Sequence, residues 1–288
     1  MHQILTAAFI APDVKRFRVV APRVARHWRP GQFVIVRPTP ESERIPLTIV
    51  EADPGGSGHR DEGWIGLIVQ RVGKTTHVLS RLEAGDAISD VAGPLGTPSE
   101  IERFGTVVVV GGGVGTAIVY PVATALREAG NRVVAVIGAR TAELLILTTE
   151  LAEAGAEVIV LTDDGTGGER GQVTDALRRL VDGGEAVDRV FAVGPIPMMR
   201  SVADVMRDTA IPTVVSLNPI MVDGTGMCGG CRVSVGGETL FACVDGPEFP
   251  AELVDFGLLA ARNRAYADFE QRRNDEALCE WGLSRKAP

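Results

Sequence analysis

The chain has 288 residues, 45% hydrophobic and 23% charged, which is enough for two ordinary globular domains and a smaller one. A formal net charge of −8, with no run of Lys or Arg, argues against a nucleic-acid-binding surface. No signal peptide is visible, the longest apolar run is too short to span a membrane, and three of the four cysteines are clustered. We therefore expect a cytoplasmic protein without a disulfide framework or a membrane partner.

Residues 1–102 contain short apolar segments separated by Pro, Gly and Asp. This pattern predicts a small closed antiparallel β-barrel. Strands are predicted at 17–21, 32–37, 46–50 and 64–70, and the one stretch with helical spacing lies at 78–82.

Two motifs in this region could bind phosphate groups. Arg44 precedes a predicted strand and could bind a pyrophosphate through two parallel hydrogen bonds, although an edge-strand Arg would look the same. Gly73 opens the short helix, where free N–H groups bind phosphate. The alternative is that Thr75 or Thr76 simply caps that helix.

Residues 103–220 alternate between predicted strands and helices, which indicates a Rossmann-like parallel sheet with helices on both faces. Ligands of such sheets bind at the carboxyl ends of the strands. Glycine-rich turns occur at three of these ends, at 111–115, 163–165 and 194–195. The first follows a run of four valines and precedes a helix, so it predicts dinucleotide binding; the alternative is a tight turn that needs positive φ. Strands are predicted at 106–110, 132–138, 157–161, 189–193 and 212–216, and helices at 117–129, 144–154, 173–181 and 198–207.

A loop within residues 221–250 carries three cysteines. Asp223, Cys228 and Cys231 have the x4-x2 spacing of plant-type ferredoxins, with Asp in place of the first Cys, and Cys243 follows at a distance. This spacing predicts a [2Fe–2S] site with three thiolates and one carboxylate. A structural zinc site and a Cys228–Cys231 redox dithiol are the alternatives, and the dithiol would leave Cys243 unexplained.

Residues 251–288 are polar, and 260–280 are predicted to form one exposed helix that is either solvated or docked on a partner. Apolar side chains are interspersed at Tyr266, Phe269, Leu278 and Trp281, and Cys279 is expected to have no role. The four histidines, which form no cluster in the sequence, are His2, His27, His59 and His77.

Five motifs occur along the chain in the following order: 44–48, 73–76, 111–115, 194–198 and the Asp/Cys loop. This order resembles the ferredoxin–NADP reductase superfamily over about residues 1–260, and within it the electron-transfer subunit of dihydroorotate dehydrogenase. It is more similar to the small subunit of NADH-dependent reduced ferredoxin:NADP oxidoreductase, also called sulfide dehydrogenase subunit, because the dihydroorotate branch has Cys at the position of Asp223.

The resemblance implies three binding sites. The FAD site would comprise Arg44, Ile45, Pro46, Leu47, Thr48, Ile68, Val69, Gln70, Gly73, Thr75 and Thr76. The site for NAD(H) or NADP(H) would comprise Gly111, Gly112, Gly113, Gly115, Thr116, Asp164, Gly165, Gly194, Pro195 and Met198. The cluster ligands would be Asp223, Cys228, Cys231 and Cys243.

The implied function is electron transfer, in which a nicotinamide hydride reduces FAD and single electrons pass to the cluster. No side chain is expected to act as an acid, a base or a nucleophile. The implied partner is a larger flavoprotein, either glutamate-synthase-small-subunit-like or a dihydroorotate dehydrogenase catalytic subunit, and ferredoxin is a further candidate. We expect NADH, mainly from the resemblance, because Arg140 would suit a 2′-phosphate whereas Glu143 would repel one. The alternatives are a dihydroorotate dehydrogenase subunit, a stand-alone flavin reductase with a structural zinc, and a nucleotide-sensing regulator.

Overall fold

The computed structural model describes residues 1–56 and 62–280, and its N-terminal region is an antiparallel sheet of seven strands. The elements are β1 (His2–Ala11), β2 (Val14–Val20), α1 (Pro22–His27), β3 (Phe33–Arg37), β4 (Ile45–Asp53), β5 (Trp64–Gln70), α2 (Lys74–Ser80), β6 (Ala87–Ile88) and β7 (Asp90–Leu95). The strand order is β6-β1-β2-β5-β4-β3-β7, and only Ser89 separates β6 from β7. One chain segment therefore pairs with β1 at one end and with β3 at the other, which closes the predicted barrel.

The barrel core is formed by alternate side chains of its central strands. Phe17 lies opposite Leu67 in the β2–β5 ladder, and both are fully buried. Each such side chain contributes about 1.5–3 kcal/mol by leaving water. The sequence prediction missed β1, α1 and the short strands β6 and β7. In β1 only Ile4 is buried whereas Phe9 and Ile10 are exposed, so the apolar residues of this strand do not mark its inner face.

The second region is a sheet whose strands are mainly parallel. Its elements are β8 (Thr106–Gly112), α3 (Thr116–Glu128), β9 (Arg132–Ala139), α4 (Thr148–Glu153), β10 (Glu157–Thr162), β11 (Glu169–Arg170), α5 (Val173–Asp182), β12 (Arg189–Val193), α6 (Ile196–Met206) and β13 (Thr213–Ser216). Along β8, Val108 and Val110 pack into one apolar core and Val107 and Val109 into another. The sheet is therefore covered on both faces, as predicted.

The helix predicted at 144–154 is wrong over its first half. A 3-10 turn at Ala142–Leu144 is followed by extended chain, and α4 begins only at Thr148. Leu147 has a left-handed backbone with φ of 58°, which interrupts a continuous helix. Ile146 and Leu147 are buried in a cluster that also contains Val14 and Ile68 of the barrel. Packing between the two regions therefore overrides the helical pattern of this segment.

The third region follows β13 and contains β14 (Arg232–Val235), β15 (Glu238–Phe241), β16 (Glu248–Pro250), α7 (Phe256–Arg264) and α8 (Ala267–Glu280). Strand β16 pairs antiparallel with β13 at the edge of the second sheet, which has the order β11-β10-β9-β8-β12-β13-β16.

The single exposed helix predicted at 260–280 is wrong, because the chain forms two helices there and α8 contacts α2 of the barrel. Ala277 in α8 is only 1% exposed. His59 and Trp281 lie outside the described residues. None of the helices in 1–56 and 62–280 is both long and apolar enough to cross a membrane.

Candidate functional site

A cleft of about 930 Å³ lies between the barrel and the parallel sheet. Its barrel wall includes Pro46, Thr48 and Gln70, and its opposite wall includes the glycine turn that follows β8. It continues to residues 216–221, which lead directly into the Asp/Cys loop. Residues of the predicted FAD and nucleotide sites therefore border one continuous space, and the segment that leads into the Asp/Cys loop borders it as well.

The residues predicted to hold a flavin along β4 and β5 fall on two faces. Pro46 and Thr48 line the cleft, as does Gln70 at the end of β5, whereas Leu47 and Val69 pack against the barrel core. This division follows from the two-residue alternation of strands. Ile68 is buried between the barrel and the second region, Ile45 is partly buried at the start of β4, and Arg44 is exposed just before it.

One residue of the predicted FAD site, Thr76, stabilises the start of α2. The Thr76 hydroxyl accepts hydrogen bonds from the N–H groups of Val72 at 3.0 Å and Gly73 at 2.9 Å. Gly73 is the N-cap residue, so the suggested capping by Thr75 or Thr76 is replaced by a bond from Thr76 back to the cap. Apart from Gly73 and its chain neighbours, no atom of residues 1–56 and 62–280 lies within 4 Å of a Cβ placed on Gly73, while Thr75 is buried. The surface at Gly73 is therefore open to a ligand.

The glycine turn at the end of β8 packs closely against the end of β12. A Cβ on Gly115 would overlap the carbonyl of Val193, and Gly113 has φ of 56°, which favours glycine. Thr116 is the first residue of α3, but it is only 1% exposed and does not line the cleft. Its hydroxyl has no hydrogen-bond partner among residues 1–56 and 62–280 and lies beside Gly111 of β8. A nucleotide at this turn would therefore meet the backbone N–H groups at the start of α3 rather than this hydroxyl.

Four predicted nucleotide-binding residues line a channel of the cleft beside this turn, namely Gly112, Gly194, Pro195 and Met198. A Cβ on Gly112 would overlap Met198 Sδ, and one on Gly194 would lie 2.9 Å from the same atom. The thioether of Met198 therefore packs directly against both glycine backbones, and a side chain at either glycine would displace Met198. Gly111 lies beneath the channel in β8 and is buried.

Asp164 and Gly165 are not brought to the cleft, where Asp163 stands instead. Asp164 Oδ1 accepts the hydroxyl of Thr166 at 2.7 Å and its N–H at 2.9 Å, and these bonds lower the pKa of Asp164. Asp164 and Gly165 therefore belong to a turn that is held by its own hydrogen bonds. Arg140, which the sequence suggested for a 2′-phosphate, lines the cleft. Residues 138–139 and 171–174 also line it but were not predicted, although 138–139 end β9, where the rule of carboxyl strand ends could have found them.

Asp223 organises the first turn of the Asp/Cys loop. Its Oδ1 accepts the N–H of Thr225 at 2.9 Å, and its Oδ2 accepts the N–H of Cys228 at 2.7 Å. These bonds, that of Thr225 most strongly, hold the pKa of Asp223 below its usual value, so the group is ionised at neutral pH. A carboxylate has about four lone-pair sites, so both oxygens retain capacity for a metal ion.

The three cysteines of the loop differ in exposure. Cys228 is exposed and its Sγ accepts the N–H of Gly230 at 3.4 Å, whereas Cys231 and Cys243 are buried with their sulfurs 3.1 Å apart. Burial, reinforced by the neighbouring Cys231 thiol, raises the pKa of Cys243 to about 12. A metal ion would therefore have to displace the proton of Cys243 when it binds.

Two contacts link the four candidate ligands: the Asp223 carboxylate accepts the backbone N–H of Cys228, and the sulfurs of Cys231 and Cys243 are adjacent. In the described part of the chain, no three His, Cys, Asp or Glu side chains are grouped around a point that would hold one ion. A structural zinc needs about four donors around a single ion. A [2Fe–2S] cluster likewise takes four ligands, shared by two irons, so either group would require the four side chains to converge on binding.

The segment after Cys243 ties the loop to the other two regions. The N–H of Thr97 donates to Gly246 O at 2.7 Å, and Ser99 Oγ donates to Glu248 Oε1 at 2.5 Å. Burial raises the pKa of Glu248, while the bond from Ser99 acts in the opposite direction. The loop is therefore fixed to the connection between barrel and parallel sheet.

Similarity to known proteins covers almost the whole chain. Residues 218–255 match the family model of the iron–sulfur cluster binding domain of dihydroorotate dehydrogenase B. The chain is 48% identical over 271 residues to a Thermotoga maritima protein named dihydroorotate dehydrogenase B (NAD(+)), electron transfer subunit homolog, covering 94% of this chain and 93% of that protein. A Methanopyrus kandleri protein named as a probable electron transfer subunit of the same enzyme is 35% identical, covering 78% of this chain and 80% of its own.

Solved structures extend this similarity to three dimensions. A chain from an NADH-dependent reduced ferredoxin–NADP oxidoreductase, reported for insights into flavin-based electron bifurcation, has a TM-score of 0.89 and 47% identity and covers 96% of this chain and 98% of its own. Phthalate dioxygenase reductase, described as a modular structure for electron transfer from pyridine nucleotides to [2Fe–2S], has a TM-score of 0.57 and 16% identity over 88% of this chain and 95% of its own. At that identity, the second match supports the fold alone.

Proposed function

We propose that this chain, which belongs to the family of dihydroorotate dehydrogenase B electron-transfer subunits, passes electrons between a nicotinamide cofactor, FAD and a [2Fe–2S] cluster. The observation that carries the proposal is the single cleft that borders barrel, glycine turn and the segment before the Asp/Cys loop. A binding protein for one ligand would need only one of these three walls. A bound flavin would supply the conversion between two-electron hydride transfer and single-electron transfer.

The barrel wall would hold and orient the flavin. Thr48 and Gln70 provide polar side chains in the cleft. The ring of Pro46 fixes the backbone between Thr48 and the exposed Arg44. The open surface at Gly73 would allow a phosphate to approach the free N–H groups of α2. Arg44 would neutralise the pyrophosphate through its guanidinium.

The opposite wall would hold the nicotinamide cofactor. Gly113 and Gly115 shape the turn at which a pyrophosphate would meet the backbone N–H groups at the N-terminus of α3. The channel beside Gly112 and Met198 would receive the nicotinamide ring and exclude water around it. We propose NADH as the cofactor, in keeping with the NAD(+) named for the relatives.

The Asp/Cys loop would hold the cluster through the Asp223 carboxylate and the thiolates of Cys228, Cys231 and Cys243. Replacement of a thiolate by the Asp223 carboxylate changes the charge density at the irons and therefore the reduction potential. In this role the residues bind and tune the cofactors, and none of them needs to transfer a proton.

A larger partner subunit would receive or supply the electrons. Three apolar side chains at the loop are exposed, namely Met227 at 89%, Val244 at 47% and Val222 at 45%. Exposed apolar residues next to a redox centre are typical of a protein interface. We propose a cytoplasmic complex with a flavoprotein that is either glutamate-synthase-small-subunit-like or a dihydroorotate dehydrogenase catalytic subunit, and ferredoxin as a further electron carrier.

The central test is anaerobic metal, sulfide and flavin analysis, followed by titration with NADH or NADPH. We expect about two irons and no zinc per chain, bleaching of the flavin by NADH, and then the EPR signal of a reduced cluster. One zinc and no sulfide would favour the stand-alone reductase, and a flavin that neither nucleotide bleaches would favour the regulator.

The ligand role of Asp223 is tested by Asp223→Ala with Asp245→Ala as the control. Asp245 is an exposed carboxylate near the loop whose Oδ2 accepts the N–H of Phe241 at 2.7 Å. We expect the EPR spectrum and the midpoint potential to change strongly only in the first variant. An unchanged spectrum and potential in Asp223→Ala would exclude ligation by Asp223.

The partner is identified by anaerobic purification of the tagged chain from its native host and mass spectrometry. A glutamate-synthase-small-subunit-like flavoprotein would support a role between pyridine nucleotides and ferredoxin. A dihydroorotate dehydrogenase catalytic subunit would move the function to pyrimidine synthesis. A chain that purifies alone and oxidises NADH with free acceptors would contradict the subunit proposal.

A further inference from the structure

Helix α7 places two consecutive side chains against the backbone of the Asp/Cys loop. Arg262 Nη2 donates to Gly230 O at 3.3 Å, and Asn263 Nδ2 donates to Asn218 O at 3.0 Å. The bond to Gly230 lies near the middle of the loop, and the bond to Asn218 lies in the segment that leads into it. The neighbouring Arg264 is exposed, with no hydrogen bond or ion pair in the described part of the chain.

The guanidinium of Arg262 is close to two candidate ligands and lacks an acidic partner. Gly230 lies between Cys228 and Cys231, and its N–H donates to Cys228 Sγ at 3.4 Å. Among residues 1–56 and 62–280, no carboxylate is within salt-bridge distance of Arg262, which is partly buried. A cation without a counter-ion is therefore directed at the backbone between two sulfurs.

We propose that Arg262 raises the reduction potential of the cluster and thereby sets how readily the cluster accepts an electron. This proposal rests on the presence of the cluster argued above. Reduction adds one electron, supplied by the flavin, and breaks no bond, so the cluster gains one negative charge. A nearby cation in a partly desolvated position stabilises that charge, because Coulomb interactions weaken less there than in bulk water. Cluster potentials respond to local charge and hydrogen bonds in this way.

Other charged groups near the loop act in both directions. Asp223 and Asp245 are negatively charged and favour the oxidised cluster. Arg232 has the same sign as Arg262 but is exposed, so water and salt screen it more strongly. The partial burial of Arg262 and its bond to the Gly230 carbonyl therefore make it the cation with the largest expected effect.

The test is the midpoint potential of the cluster, measured by EPR-monitored redox titration of the FAD-loaded chain. Arg262→Gln keeps an N–H donor but removes the charge. We expect the equilibrium constant for cluster reduction to fall by about tenfold, a decrease of about 59 mV for a one-electron couple. Arg262→Lys should keep most of the wild-type potential, and the difference between wild type and Arg262→Gln should shrink at high salt.

Two control variants separate charge from structure. Arg264→Gln makes the same charge change on the same helix without a contact to the loop, so its potential should stay near that of wild type. Asn263→Ala removes a bond between helix and loop without a charge change, and it should also leave the potential unchanged. A fall of equal size in Arg264→Gln, or an unchanged potential in Arg262→Gln, would overturn the proposal.

Iron and sulfide content distinguishes the remaining outcomes. A wild-type chain without iron or sulfide would refute the proposed function and this inference together. If Arg262→Gln loses its cluster, Arg262→Met is measured in its place, since it keeps the length of the side chain without polar atoms. Loss of the cluster in both neutral variants would assign Arg262 to holding the loop and would overturn its role in tuning.

Discussion

Replacement of Lys15 by Met should destabilise the barrel and loosen its hold on the flavin. Lys15 is only 1% exposed, and its Nζ donates to Ser80 O at 3.1 Å, Leu82 O at 2.8 Å and Glu83 Oε1 at 2.7 Å. These acceptors lie at the end of α2 and just beyond it, whereas the opposite end of that helix begins after Gly73. Lys15 therefore fixes to β2 the helix proposed to bind the flavin phosphates.

The loss can be estimated from which acceptors stay buried. Glu83 is 65% exposed, so its carboxylate regains water when Lys15 is removed. The carbonyl groups of Ser80 and Leu82 lose their partner, at about 1–3 kcal/mol each. Because Met fills most of the vacated volume, we expect a total loss of about 3–5 kcal/mol, which arises from these two unsatisfied carbonyl groups. This corresponds to a thermal midpoint lower by roughly 6–20 °C.

The assay is thermal unfolding of the FAD-loaded chain, followed by the flavin fluorescence that rises on release. Glu83→Gln is the matched control, because it alters only the exposed partner and should cost no more than about 1 kcal/mol. Equal midpoints for Lys15→Met and Glu83→Gln would refute the reasoning. That result would mean that apolar packing replaces the buried charge without loss, as happens in some proteins.

Three further predictions concern single side chains. Gly73→Ala should weaken FAD binding by about tenfold or more, or about 1.4 kcal/mol, measured by fluorescence titration, because the new methyl group meets only the ligand. Gly112→Ala should slow flavin reduction by NADH in stopped-flow experiments without loss of FAD, since its methyl group overlaps Met198 Sδ, and Met198→Ala should partly restore the rate. Glu248→Gln should flatten the pH dependence of the free energy of unfolding. The pKa of Glu248 is raised in the folded state, so the stability of the wild type falls as pH rises from the unfolded pKa to the folded pKa. Each tenfold difference in proton affinity between the two states contributes about 1.4 kcal/mol, and urea unfolding between these pH values measures it.

Each of these predictions has a result that contradicts it. Unchanged FAD affinity in Gly73→Ala would remove the flavin phosphates from the start of α2. Equal rates of flavin reduction in Gly112→Ala and wild type would place the nicotinamide away from the channel beside Met198. Parallel pH profiles for Glu248→Gln and wild type would show that Ser99 offsets the effect of burial on Glu248.

Local signals in the sequence predicted most strands and the order of the regions. The valine run and the glycines after it were sufficient to predict β8 and the turn that follows it. A strand buried on both faces is apolar at every position, and β8 shows this pattern. Leu47 was predicted in the FAD site, but it packs against the barrel core because side chains alternate along β4. The hairpin of β14 and β15 was not predicted, although Gly236-Gly237 between two apolar segments is a hairpin signal.

Other features depend on contacts between distant residues and have no local signal. The segment before α4 has a helical pattern, but Ile146 and Leu147 pack against barrel residues that are far away in the sequence. Arg262 lies in a polar stretch, and nothing near it in the sequence indicates that it reaches Gly230. Spacing thus predicted a ligand set for the cluster but not the cation beside it.

The position of the Asp/Cys loop follows from how its two ends are paired. The chain leaves the second sheet at β13 and returns at β16, and Val215 lies opposite Phe249 in that ladder. The N–H of Leu217 also donates to Pro247 O at 2.9 Å. A loop whose ends are joined by strand pairing has little closure entropy left to lose when it closes around a ligand. The same pairing holds the candidate ligands at the edge of the sheet that forms one wall of the cleft, so a cluster bound there would keep a fixed position relative to the flavin.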